Sequence, residues 1–181
     1  MLLPKAIFFT TGLGRHKEKL ESFELALRDA GIERFNLVRV SSIFPPGGKI
    51  VSKERGISML RPGQMVFCVL SEASSNEPGR RIAVSIGLAL PQDKNTHGYL
   101  SEHHAYEQDE EQAGSYAEDL AASMLASTLG IEFDPDKAWD ERRHEWKLSG
   151  KIVKTRNFTK VATVDRSGKW CTVIAAAIFV I

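Results

Sequence analysis

Cysteine is nearly missing from this chain, and long apolar runs and an excess of either charge are missing altogether. The two cysteines, Cys68 and Cys171, sit far apart inside apolar stretches. That excludes a disulfide framework and offers no metal-ligand spacing, so each reads as a small buried hydrophobe. No stretch approaches the roughly 20 apolar residues that cross a bilayer. The nearest, Val173 to Ile181, is about half that length. The start, Met1-Leu-Leu-Pro-Lys-Ala-Ile-Phe-Phe9, lacks a basic segment and a small-residue cleavage site, so a cytoplasmic protein is expected. With 24 basic against 23 acidic residues, nothing in the charge calls for nucleic acid or a membrane surface as partner. Repeats and linkers are also absent, and 181 residues suit one domain spanning 1–181.

What is present is mostly strand signal. Segments 5–11, 35–40, 64–71, 81–90, 99–104, 152–164 and 169–180 are β-branched, apolar or alternating, and are bounded by turn residues. The first is expected to end in Thr11-Gly-Leu-Gly14, and Asp165-Arg-Ser-Gly168 looks like a hairpin joining the last two. Helical spacing appears over 17–30, with Leu20, Phe23, Leu27 and Ala30 on one face and Gly31 as the stop. A second helix is expected over 112–129, with Tyr116, Leu120 and Met124 in register, and a short one over 52–60. Strands that outnumber helices and neighbour one another give an α+β fold with mostly antiparallel sheets covered by helices.

Several groups invite chemistry, each beside a plainer role. Thr11-Gly-Leu-Gly-Arg-His-Lys17 follows a strand and precedes a helix, but its spacing fits neither a P-loop nor a dinucleotide fingerprint, which leaves a strand-to-helix turn. Glu102-His-His104, with His97 and Glu107 near, suggests a metal site. In a strand, however, 102 and 104 share a face and His103 points away, so no metal is expected. Glu102 alone follows Gly98-Tyr-Leu-Ser, where partial shielding would raise its pKa and suit it to proton donation; the plainer role is an exposed strand glutamate. Glu24 flanks the first helix's apolar face and either binds a cation in a cleft or pairs with Arg28 at i+4. Asn36 opens the strand 35–40, as a turn residue or a polar group brought back to the strand's far end.

The segment Asn36-Leu-Val-Arg-Val-Ser-Ser-Ile-Phe-Pro-Pro46 is the most specific. Its β-branched run ends in two hydroxyls, and Pro45 and Pro46 then stop regular pairing. Ser41-Ser42 therefore lies where a rigid strand becomes a constrained loop. Most such pairs only satisfy local hydrogen bonds.

Together with Phe23-Glu-Leu-Ala-Leu-Arg-Asp-Ala-Gly-Ile32, Ile82-Ala-Val-Ser-Ile-Gly-Leu-Ala-Leu-Pro91, Gly98-Tyr-Leu-Ser-Glu102 and the helix from Tyr116 to Gly130, this segment resembles the pyruvoyl-dependent arginine decarboxylase family over nearly the whole chain. The resemblance implies an αββα layered sandwich. It also implies self-cleavage between Ser41 and Ser42: the Ser42 hydroxyl attacks the Ser41 carbonyl, giving a β chain (1–41) and an α chain (42–181). The pyruvoyl group formed from Ser42 would be the sole cofactor, without pyridoxal phosphate or metal, and would decarboxylate L-arginine to agmatine through a Schiff base. By the same resemblance Glu102 is the proton donor, and Glu24, Asn36, Ser41 and Ile43 contact substrate. Archaeal members carry aspartate where this chain has Glu24, which implies a pocket changed by one methylene. The expected assembly is a homotrimer with sites at subunit boundaries, alone or within a higher assembly. The alternatives are the same chemistry on lysine or ornithine, and an unprocessed homologue that binds or assembles.

Overall fold

Strand β9 (Trp170–Val180) organises the molecule because both of its faces are buried. Val173, Ala175, Ala177 and Phe179 pack into one core cluster, while Ile174, Ala176, Ile178 and Val180 pack into another. A computed structural model describes residues 3–131 and 151–181. Around β9 its order is β1 (Ala6–His16), α1 (Lys19–Ala30), β2 (Asn36–Arg39), β3 (Ile43–Phe44), β4 (Lys49–Ile50), α2 (Lys53–Ser58), β5 (Met65–Ser75), β6 (Arg81–Pro91), β7 (Gly98–Tyr106), α3 (Glu110–Thr128) and β8 (Ile152–Thr163).

Among the described residues the strands form two sheets, β2-β5-β9-β1-β4 and β3-β7-β6-β8. Only β1–β4 and β2–β5 pair in parallel. Ile7, Val69, Val84, Ile86, Leu100, Val173 and Phe179 fill the space between the sheets. Phe9 and Phe158 stack across it with ring centroids 3.8 Å apart. Ala26, Ala30 and Ile57 cover the outer face of the first sheet, and Ala121, Ala122 and Leu125 that of the second. The layers run helix, sheet, sheet, helix, and the α+β sandwich stands. No helix among the described residues is long and apolar enough to cross a membrane.

Three local expectations are corrected. Thr11-Gly-Leu-Gly14 is not a turn, because β1 runs on through His16 in unbroken register with β9. The glycines serve packing: a Cβ on Gly12 would overlap the Ala26 carbonyl, and one on Gly14 the Ser22 carbonyl. The Asp165–Gly168 segment joins no hairpin, since β8 and β9 belong to different sheets and the chain changes layer there. The buried faces of the long helices are also smaller than expected. Leu20 is 78% exposed and Tyr116 49%, while Ser22, Ala26 and Ala30 of α1 and Ala113, Ala117 and Ala121 of α3 are buried. Short side chains let each helix backbone approach its sheet, and there the close approach outweighs large apolar residues.

Gly12→Ala and Gly87→Ala (whose Cβ would strike the Ala117 carbonyl under α3) should each destabilise the fold by about 1–3 kcal/mol, because a backbone obstacle cannot rotate aside as a side chain can. Urea unfolding of the two variants against the parent chain checks this; unchanged midpoints would remove the close-packing explanation.

Candidate active site

The segment 36–48 carries the chain from one sheet to the other. β2 pairs in parallel with β5 at the edge of the first sheet, and Val40 N–H extends that attachment to the Cys68 carbonyl at 3.0 Å. β3 then pairs with β7 in the second sheet, and the Ser42 carbonyl accepts from Leu100 N–H at 2.8 Å. Only Ser41 separates the last bond to one sheet from the first to the other. The crossover ends in a tight turn, where the Pro45 carbonyl accepts from Gly48 N–H at 3.1 Å. Pro46 supplies the fixed negative φ that this turn requires, and Gly47 its positive φ, 69°. Within the crossover, Ile43 N–H donates back to the Ser41 carbonyl at 2.9 Å, closing a three-residue turn about Ser42.

Glu102 reaches this crossover through the β7 register. It lies opposite Ile86, and Leu100 opposite Leu88. Ile86 and Leu100 face the space between the sheets, so the pleat turns Glu102 to the same side. Ser42 is bonded to Leu100, which makes Glu102 its diagonal neighbour along β7. Such neighbours lie about 7–8 Å apart, within reach of a long side chain. Glu102 opens to solvent on one side, yet the surrounding protein raises its pKa above the ordinary carboxylate value by desolvation. The positive charge of Arg39, in β2, opposes that rise. Arg39 is itself ion-paired with Glu72 of β5. Burial pushes the nearby Cys68 thiol up to about 11, with Arg39 pulling down and Glu102 pushing up. Cys68 is thus a neutral thiol at physiological pH and no nucleophile.

Ser41 is exposed, Ser42 half-buried and Ile43 39% exposed. Val40 and Ile43 also line an apolar groove of about 340 Å³ with Leu3, Phe67, Phe179 and Ile181. The other two expected residues are engaged elsewhere. Asn36, at the far end of β2, donates its amide to the Gly63 carbonyl at 2.8 Å. The Glu24 carboxylate accepts from the Arg28 guanidinium at 2.5 Å, which also raises the arginine's pKa. Among the described residues, no hydrogen bond or ion pair joins either residue to Ser41 or Ser42. His103 points from β7 toward α3, where Nε2 contacts Gln108 at 2.8 Å and the ring packs on Tyr116. His104 is exposed, and no group of three or more metal-ligating side chains occurs among the described residues.

The structure adds Arg39 and two backbone N–H groups, those of Ile43 and Leu100, to the site. Arg39 is visible in the sequence as the one charge in an apolar strand, a signal that does not say which acid it faces. The backbone donors have no sequence signature at all.

Because burial raises the Glu102 pKa and Arg39 lowers it, Arg39→Met should raise it further and keep the carboxyl protonated to higher pH. Carbon-detected NMR titration of Glu102 in the Ser42→Ala chain reads this directly, and a shift to lower pH would contradict the assigned balance. The linkage has the same sign: a raised folded-state pKa stabilises the fold below the unfolded value, and that contribution is lost as pH rises through the folded one.

The whole described fold and site fall within a match to the family model for pyruvoyl-dependent arginine decarboxylase, PvlArgDC, over residues 6–181. A protein of Chloroherpeton thalassium named "Probable pyruvoyl-dependent arginine decarboxylase" is 61% identical over 176 residues, 97% of each chain. One of Methanococcoides burtonii named "Pyruvoyl-dependent arginine decarboxylase" is 54% identical over 180 residues, 99% of this chain and 100% of its own. A like-named protein of Nitrosopumilus maritimus is 53% identical over 180 residues, 99% of this chain and 98% of its own. With a match of this extent, and with Ser42 and Glu102 held by adjoining strands, the chain belongs to the pyruvoyl-dependent arginine decarboxylase family.

Proposed function

We propose that the chain cuts itself between Ser41 and Ser42 and then decarboxylates L-arginine to agmatine and carbon dioxide. The observation that carries this reading is the crossover itself. It holds Ser42 in a tight turn directly after the carbonyl its hydroxyl would attack, bonded to the strand that carries a carboxyl whose pKa is raised. Ser42 is the nucleophile and the precursor of the prosthetic group; Ser41 contributes its carbonyl and becomes the carboxyl terminus of 1–41.

The residues present fit a pyruvoyl group at position 42. Its amide carbonyl would be the Ser42 carbonyl, which already receives Leu100 N–H, and its amide nitrogen that of Ile43. When formed, the group supplies a ketone that takes up the substrate's α-amine and a neighbouring carbonyl that draws off the electrons freed by decarboxylation. Glu102, whose pKa desolvation raises, delivers a proton to the carbon that has lost carbon dioxide. Leu100 N–H holds and polarises the Ser42 carbonyl, which would adjoin the ketone carbon of the pyruvoyl group.

Glu24 binds the guanidinium end of the substrate. Its pairing with Arg28 supports this, since the carboxylate already accepts a guanidinium in this chain. Glu24 and Asn36 contact substrate at the Ser42 site of a neighbouring copy in a homotrimer with sites at subunit boundaries. The exposed apolar groove around Val40, Ile43 and Ile181 suits burial in that assembly.

Denaturing mass spectrometry of purified protein should give two masses, 1–41 and 42–181, and Ser42→Ala a single intact one. One intact mass from folded parent chain would favour a binding or assembly protein instead. Processed protein should release labelled carbon dioxide from arginine without added pyridoxal phosphate, and borohydride with substrate should stop it. A higher kcat/KM on lysine or ornithine would move the substrate and leave the chemistry. Glu102→Gln should lower turnover by about 10²–10⁴-fold, and near-parental turnover would remove it from proton donation.

A further inference from the structure

We infer that the backbone N–H of Ile43 is the oxyanion donor for scission of the Ser41–Ser42 bond, an inference that rests on the self-processing reading above. The contact is already formed, with Ile43 nitrogen 2.9 Å from the Ser41 carbonyl oxygen. The β3–β7 ladder explains why this donor is free to turn back. Ser42 is a hydrogen-bonding position of that antiparallel ladder, through Leu100 N–H. The next residue, Ile43, is therefore a non-bonded position whose N–H points away from β7. Of the donors beside the crossover, Leu100 N–H is engaged on the Ser42 carbonyl and Arg39 in its ion pair with Glu72.

The step balances within the chain. The Ser42 Oγ–carbon bond forms, the carbonyl electron pair moves onto the Ser41 oxygen, and the Oγ proton is released. Collapse of that tetrahedral centre breaks the Ser41–Ser42 carbon–nitrogen bond, and the nitrogen takes up one proton. An ester then stands where the amide was. Negative charge builds on one atom only, the Ser41 oxygen, and that atom already holds the Ile43 donor. A backbone donor fixed before the charge appears needs no reorganisation when it does.

The same contact belongs to the turn before and after the motion that attack requires. Glu107 is the only non-glycine residue with positive φ among those described, so the turn about Ser42 is the inverse kind. In that form the Ser42 Cβ lies away from the Ser41 carbonyl carbon. Rotation of Ser42 to the mirror-image turn brings Oγ onto that carbon, and both turns share the same i to i+2 hydrogen bond. The donor is thus on the Ser41 oxygen in both end states of that rotation.

The test replaces the Ile43 amide by an ester, using the α-hydroxy analogue of isoleucine. That deletes the N–H and keeps the side chain. The appearance of the 42–181 mass is followed in time, with a matching backbone ester at Leu100 as control, since it removes the neighbouring bond to the Ser42 carbonyl. The Ile43 ester should slow processing by about 10²–10³-fold, the usual loss for one oxyanion donor, with the Leu100 ester, which only loosens the hold on Ser42, slowed by much less. Ile43→Pro, which also lacks the N–H, should show the same slowing and serves if the ester chain does not fold; Ile43→Val, which keeps the N–H, should process much faster than Ile43→Pro. Processing of the Ile43 ester at the parent rate overturns the inference and leaves self-processing intact. Equal slowing by both esters overturns it as well, because the effect would then be structural. A folded parent chain that never processes overturns the underlying reading instead.

Discussion

Everything at this site depends on one constraint: the chain changes sheets across a single residue. Packed sheets lie about 10 Å apart. Val40 is still bonded to the first sheet and Ser42 already to the second, so the Ser41–Ser42 bond must lie along the gap's edge. A residue so placed cannot settle into either ladder. The same attachment sets the partner, because the strand that holds Ser42 through Leu100 carries Glu102 two residues on. The gap in turn is held at a fixed width by the Phe9–Phe158 stack and by the Ser71 hydroxyl, which donates to the His103 carbonyl at 2.6 Å. Sheet packing, crossover and carboxyl are therefore one arrangement.

Strand positions were largely legible because β-branched and apolar runs with turn residues at their ends admit few other readings. Segment 169–180 matches β9 within a residue, and 81–90 matches β6 closely. Sheet membership was not legible. The turn-rich residues 165–168 look alike whether they fold a strand back beside its partner or pass it to another layer, and here they pass it on. Gly12 and Gly14 misled for a related reason. Glycine marks a turn when the backbone must adopt positive φ, but these two admit a helix to the sheet surface, and that depends on an element that packs from outside the strand.

The candidate site was legible in its side chains and illegible in its backbone. Ser41-Ser42 and the prolines after it locate the crossover, and the glutamate after Gly98 is the carboxyl beside it. Its raised pKa required the fold, since both its desolvation and the opposing charge of Arg39, on another strand, arise only when the strands are brought together. Glu24 was read in two ways, and the ion pair with Arg28 is the plainer one. It is compatible with the other, because an exposed i to i+4 pair is worth only about 0.3–0.5 kcal/mol and yields readily to a substrate held at several points.

The place of the proposed scission has a further consequence for what remains afterwards. Cutting between Ser41 and Ser42 severs no bond of either sheet. The Val40 link to Cys68 stays with the first piece, and the Leu100 link to Ser42 stays with the second. The first piece keeps β1, paired with β9 from Ala6↔Val180 to His16↔Trp170, and α1 packed upon it. It is thus held inside the first sheet, between β9 and β4, where release would require opening the core. The second piece keeps β3 on β7, so the new terminus at Ser42 has no freedom to drift from Glu102. The hydrogen bond lost is the one between Ile43 and Ser41, whose carbonyl belongs to the departing side. A cut in an ordinary surface loop would leave two frayed ends, each paying about 1–2 kcal/mol per residue to be ordered again for catalysis. A cut at a crossover leaves two ends already ordered by different sheets, and the only new freedom is the gap between them, where a substrate must enter.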